Sequence, residues 1–114
     1  LQYQPTTTLE DIMTTTATNI RTAADRIVAR QPFSAGGNAY GEPNFRGGPN
    51  EGTVGALPRL WRDKFYLDVN AVDYVVYSYH TPIAWHTPDG WTIPDHKYSV
   101  STSKHQSAVR YALL

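Results

Sequence analysis

The chain of 114 residues has no cysteine. That excludes a disulfide framework, a thiolate zinc site and a cysteine nucleophile together. Small secreted domains more often use disulfides, but the lack of cysteine does not decide the compartment, and the cytoplasm is expected by default. No apolar run approaches the roughly 20 residues that span a bilayer, which argues against a membrane partner. The opening LQYQPTTT has neither a basic nor an apolar segment and does not read as a signal peptide. Net charge is lacking as well, since ten Lys and Arg balance ten Asp and Glu. Whole-molecule charge therefore gives no steering toward nucleic acid or an acidic membrane. His80, His86 and His96 lack zinc-ligand spacing, and no pair of carboxylates falls in a register suited to two metal ions. The sequence predicts no metal and no cofactor.

What is present is an ordinary soluble composition, 40% hydrophobic and 18% charged. At this length it predicts a single domain over residues 1–114 with one modest core. The charges are unevenly placed. Residues 72–95 carry Asp73, Asp89 and Asp95 without a cation, whereas 96–114 carry Lys97, Lys104 and Arg110 without an acid. The C-terminal end is locally basic.

Taken in order, Thr8 caps a helix expected over 9–30, with Glu10 and Asp11 in its first turn. Leu9, Ile12, Met13, Ala17, Ile20, Ala23, Ala24, Ile27 and Val28 recur at three- and four-residue steps. Pro32 supplies the stop, and the threonines at 14–16 and 18 weaken the first half. The helix is expected to pack on a sheet; the alternative is self-association into a homo-oligomer.

Residues 31–56 hold seven of the eight glycines and three prolines, and show no period. They read as a glycine-rich surface loop. No Gly-Lys-Ser/Thr follows, so this is not a phosphate loop, although the GGN at 36–38 can present backbone amides. Pro58 opens a short helix over 57–66, with Leu57, Leu60, Trp61 and Phe65 at helical spacing.

The stretch from 72 to 106 holds all four histidines and most of the informative residues. Residues 72–79 are dense in β-branched and aromatic side chains and read as a central strand. Val75, Tyr77 and Tyr79 share one face, and Tyr74, Val76 and Ser78 the other. A second strand begins at Ile83. Thr87-Pro88-Asp89-Gly90 signals a hairpin that sets His86 across from Trp91 and Trp85 across from Thr92. Residues 97–100 offer a further short strand. A last helix is expected over 103–113, with Ser103 and Gln106 as a capping box. The predicted fold is therefore α+β: a small antiparallel sheet at 72–100 packed by the N-terminal and C-terminal helices.

Donors crowd the start of that last helix: Ser99, Ser101, Thr102, Ser103, Lys104, His105 and Gln106. Backbone amides at a helix N-terminus favour an anion. The plain alternative is that these residues cap the helix and satisfy one another.

Residues 77–84 (YSYHTPIA) and 97–106 (KYSVSTSKHQ) together resemble a family of small uncharacterised proteins of tailed phages and mobile plasmids. Its pattern is YSYxTxIA followed by YSxTTSxHQ, and Phe33 with Gly37-Asn38 is similar to its FxGN signature. The likeness covers roughly the last 40 residues and hardly touches the N-terminal helix. Tyr77, Ser78, Tyr79, Thr81, Tyr98, Ser99, Thr102, Ser103, His105 and Gln106 carry it, while Ser101 stands where the family more often has Thr. The resemblance implies a phage or mobile-element origin and brings no activity with it.

The expected ligand-binding residues are Tyr77, Tyr79, His80, Thr81, Tyr98, Thr102, Ser103, Lys104, His105 and Gln106. The first reading is a phosphate-bearing ligand, a nucleotide or nucleic acid. Tyr77, Tyr79, Trp85 and Trp91 would stack bases, and Lys97, Lys104 and Arg110 would approach phosphates. Sequestering a host defence signal in the cytoplasm of an infected bacterium would fit that reading. The second reading is an adaptor or inhibitor docked on a host protein through the aromatic sheet and the glycine-rich loop. The third is a small phosphodiesterase or RNase with His80 and His105 as acid and base. No catalytic residues are assigned, and binding explains more of the sequence with fewer assumptions.

Overall fold

The structure, a computed structural model, describes residues 16–17, 20–43 and 54–114. In chain order these form β1 (Thr16–Ala17), a 3-10 turn at Ile20–Ala23 running into helix α1 (Ala24–Val28), β2 (Phe33–Ala35) and β3 (Ala39–Pro43). Helix α2 (Arg59–Asp68), β4 (Tyr74–Ser78), β5 (Thr81–Thr87), β6 (Gly90–Thr92) and helix α3 (Val100–Ala112) follow. The strands lie in sequence order in one sheet. The five from β2 to β6 pair antiparallel, and β1 adds two residues parallel to β2 at the edge.

Continuous apolar runs rather than alternation explain why β4 and β5 lie inside the sheet. β4 is buried at every position and β5 at all but His86, so both faces of these strands are covered. On one face Tyr74, Val76 and Ala84 meet Ile20, Ala23 and Ile27 from the N-terminal helical segment and Val109 from α3. On the other face Val75, Tyr77 and Trp85 meet Leu57 and Phe65 from the α2 region. The fold is α+β, with the N-terminal and C-terminal helices packed on the sheet as the sequence predicts. The hairpin register is also as predicted: His86 pairs with Trp91 and Trp85 with Thr92. Among the described residues no helix is long and apolar enough to cross a membrane.

Several boundaries differ from expectation. Thr16 and Ala17 pair with Ser34 and Ala35 as strand, and among the described residues helical structure begins at Ile20. The β-branched Thr16 favours extended backbone, and at these two positions that preference outweighs the apolar period. Residues 9–15 lie outside the described residues. The expected loop at 31–56 is in part a hairpin: Phe33, Ser34 and Ala35 pair with Gly41, Tyr40 and Ala39 across a turn at 36–38. Residues 44–53 lie outside the described residues. The short strand expected at 97–100 is absent; 93–99 is irregular, and Val100 begins α3. Leu60, expected inward, is 74% exposed, because α2 buries Phe65 rather than the Leu60 side.

Gly41 shows why the β2–β3 hairpin was hard to read. It is buried among large neighbours, and a Cβ there would collide with the Tyr74 hydroxyl and the Phe33 ring. The Tyr74 hydroxyl is fixed in that space because it donates to the Gln31 carbonyl at 2.6 Å. Gly41→Ala is therefore expected to destabilise the fold by about 1–3 kcal/mol through overpacking. A urea titration checks this, and an unchanged midpoint would show that the space is larger than the geometry implies.

Candidate functional site: a cationic groove at one end of the sheet

The β4–β5 turn is the unusual local structure. Ser78 pairs with Thr81, leaving Tyr79 and His80 as the two turn residues, at φ values of 49° and 69°. Positive φ at both central positions marks a type I′ turn, where Asn-Gly is the low-cost choice. Side chains with a Cβ in this region cost about 1–2 kcal/mol each. The surroundings hold the turn in place. The Tyr79 N–H donates to the Asn38 carbonyl at 2.8 Å, which ties this turn to the one at 36–38. The Ala56 N–H donates to Thr81 Oγ1, also at 2.8 Å.

The two turn side chains go to opposite sides. Tyr79 stacks on His105 of α3, with centroids 6.0 Å apart and planes 28° apart. His80 Nδ1 lies 2.8 Å from the Tyr40 hydroxyl, and Tyr40 stacks at 4.8 Å on Tyr77, a member of the cluster that packs against α2. The two histidines proposed as an acid–base pair therefore have separate partners on separate faces.

Strain of this kind persists where surrounding structure holds it. Tyr79→Asn combined with His80→Gly is expected to hold or raise the melting temperature, because relief in the turn offsets the lost ring contacts. A fall of more than about 5 °C, near 1 kcal/mol for a domain of this size, would contradict the account.

Helix α3 starts earlier than predicted. Ser99 is its N-cap and accepts from the Thr102 N–H at 3.4 Å, while the Ser103 N–H is already in the helical ladder to the Ser99 carbonyl. Ser103 is thus a first-turns residue, and its hydroxyl donates back to the Tyr98 carbonyl. Thr102 points inward, where Ser78 Oγ donates to Thr102 Oγ1 at 3.1 Å. Ser78 Oγ also lies 2.6 Å from His105 Nδ1. With the Ser78 proton directed to Thr102, His105 Nδ1–H donates to Ser78, and Nε2 keeps its lone pair.

Partial burial lowers the His105 pKa from its ordinary 6.5. The folded state then binds fewer protons than the unfolded chain, so stability rises with pH across this window. The contribution is full above about pH 6.5 and is lost as pH falls through the lowered value. Tyr79, Tyr98, Tyr111, Arg21, Lys97 and Lys104 border the same groove, and burial alone accounts for the shift. Melting curves from pH 7.5 to 5 should show a steeper decline in wild type than in His105→Asn. Parallel curves would contradict this.

Ser78 and His105 form a nucleophile–base contact in outline, but Ser78 is 1% exposed and no carboxylate hydrogen-bonds His105 among the described residues. Such a hydroxyl cannot meet a substrate. Among the described residues no cluster of metal-binding side chains occurs.

Next to this network lies an open groove of about 920 Å³, bordered by the turn at 36–38, Tyr79, residues 97–98 and the outer face of α3. Arg21, Lys97 and Lys104 contribute three cations, and the described residues add no carboxylate to the lining. Lys97 and Lys104 make no ion pair among the described residues. The Tyr98 hydroxyl is buried at the groove wall with no hydrogen-bond partner among the described residues. Its ring packs edge-on against His96, at 4.6 Å. The hydroxyl oxygen is sealed from solvent, so Tyr98 borders the groove with its ring rather than with its hydroxyl.

Of the residues expected from sequence, Tyr79, Tyr98, Ser103, Lys104 and His105 border this groove. Tyr77 and Thr81 are buried, and His80 sits with Tyr40. Thr102 is buried under the helix start, and Gln106 Nε2 donates to the Pro94 carbonyl at 3.1 Å, which anchors the irregular 93–99 segment. Arg110 donates to the same carbonyl at 3.3 Å. Trp85 is buried, and Trp91 packs edge-on against Tyr74 and His86, so only Tyr79 of the four expected stacking rings faces the groove. Arg21, Asn38, Val100 and Tyr111 were not anticipated as site residues. Asn38 carried a signal in its GGN turn, whereas Arg21 carried none, because only the fold brings the N-terminal helical segment beside α3.

The chain belongs to a family of unknown function (DUF8033), which matches it over residues 7–112. No curated protein and no solved structure matches it.

Proposed function

We propose that this member of the family binds a phosphate-bearing ligand in the groove beside α3. The observation that carries the reading is the lining: Lys97 and Lys104, which make no ion pair among the described residues, face the groove with no acid from the described residues. Charge-assisted hydrogen bonds from Lys or Arg to phosphate oxygens are strong, and a neighbouring carboxylate would oppose them. Ser101 and Ser103 add hydroxyl donors on the same wall. The protein holds its ligand rather than transforming it, since Ser78 is sealed and the two histidines are apart.

The motifs at 77–84 and 97–106 support a phage or mobile-element origin. In that setting the protein acts in the cytoplasm of an infected bacterium, where sequestering a phosphate-bearing signal or a nucleic-acid end counteracts host defence.

A thermal-shift screen of sugar phosphates, nucleotides and short oligonucleotides tests the reading. A ligand at a hundredfold excess over its Kd adds about 2.7 kcal/mol, a shift that is easily seen. At least one phosphate class should stabilise wild type and leave a Lys97→Glu, Lys104→Glu variant unmoved. No shift for any compound, or the same shift in both proteins, would sink the reading.

One observation favours a second reading, the adaptor or inhibitor. Leu60 and Leu67 are 74% and 83% exposed on α2, far from the groove face, with Tyr66 beside them. Leu60→Glu with Leu67→Glu would disable an adaptor and leave the phosphate-dependent shift intact.

A further inference from the structure

We infer that Tyr79 is a preformed stacking platform, so that the groove takes a planar base joined to a phosphate: a nucleotide unit. The inference rests on the reading of the groove as an anion site and adds the chemical class of its occupant.

The first support is the backbone. Tyr79 occupies a left-handed position where a residue with a Cβ is disfavoured, within a turn that Asn-Gly would form more cheaply. Reading from such an outlier toward function is the sound direction, because strained residues cluster where a side chain is used. The second support is that the ring is backed on one face. The Tyr79 backbone N–H donates to the Asn38 carbonyl, which fixes the turn, and the ring lies against His105, itself bonded to buried Ser78. A ring backed this way has less freedom to lose on binding.

The third support is placement. Tyr79 is 49% exposed despite that backing, and its open part borders the groove that carries Lys97 and Lys104. Tyr77 and Trp85, which the sequence offered for the same task, are instead sealed in the core. An aromatic face beside cations, with no acid from the described residues, suits a base and its phosphate, as in proteins that hold single nucleotides or single strands. A sugar phosphate would leave the ring without a use.

Calorimetry with ribose 5-phosphate and adenosine 5′-monophosphate isolates the base, because the two share the sugar and phosphate. The monophosphate should bind wild type about tenfold or more tightly than ribose 5-phosphate, the lower range of one base–ring stack. Tyr79→Gly keeps the turn conformation and should erase that difference while leaving ribose 5-phosphate binding unchanged. Tyr79→Phe should retain the preference. Equal affinities in wild type, a preference that survives Tyr79→Gly, or parallel loss of both ligands would overturn the platform while leaving the anion site standing. Binding of neither ligand would overturn the anion reading and the platform with it. A single-stranded hexanucleotide separates two sources of the same chemistry: tighter binding than the monophosphate identifies a strand, weaker binding a free nucleotide.

Discussion

Trp85→Ala is expected to lower stability by about 3–5 kcal/mol, a large part of the 5–15 kcal/mol typical of a domain. Trp85 is wholly buried in the central strand β5, edge-on to Phe65 with centroids 4.8 Å apart. Its indole N–H donates to Asp68 Oδ2 at 3.0 Å, and Lys64 Nζ holds the other carboxylate oxygen, also at 3.0 Å. This contact secures the C-terminal end of α2 to the sheet, on the face opposite the groove. Truncation leaves a cavity between α2 and β5 and frees the carboxylate as well. Asp68→Ala separates the two effects. It should cost about 1–3 kcal/mol, since it leaves a buried N–H unsatisfied while the packing remains. Urea titrations of both variants check the pair, and a Trp85→Ala loss below about 1 kcal/mol would show that α2 is not held through this residue.

The second large effect is on binding. Lys97→Glu combined with Lys104→Glu should weaken phosphate binding by roughly a hundredfold or more, since each charge-assisted contact is worth about 1.5–3 kcal/mol. Both side chains border the groove without an ion pair among the described residues, so reversal removes attraction and adds repulsion. Their exposure predicts little effect on the fold, and the melting temperature without ligand should stay within a few degrees. Raising the salt concentration should weaken wild-type binding and leave the variant's residual binding nearly unchanged. Equal affinity of the two proteins would remove the groove from consideration.

Much of this arrangement was legible where local chemistry and tertiary demand agree. Pro88-Asp89-Gly90 fixed a hairpin and its register, and the dense apolar run at 74–78 announced a central strand. It was illegible where the fold needs a residue that local preference disfavours. Tyr79 and His80 show none of the Gly or Asn that marks their turn, and Gly41 reads as loop although packing against Tyr74 demands it in a strand. Ser99 lost its cap role to Ser103 in the sequence reading, because several hydroxyls in a row offer equally good caps. The groove followed the same rule. His105, Lys104 and Tyr98 stood out as a local cluster of donors, whereas Tyr77, Thr102 and Gln106 belong to the same motif and serve the core. Nothing local separates the two groups, because helical phase relative to the sheet decides which side chains face out.

The central claim is the location of the site, and a titration of adenosine 5′-monophosphate followed by backbone amide NMR tests it most directly. The account predicts saturable shifts grouped at Gly36, Asn38, Tyr79, Lys97, Lys104 and Tyr111, with α2 silent. Shifts centred on Leu60 and Leu67, or none at millimolar ligand, would contradict it.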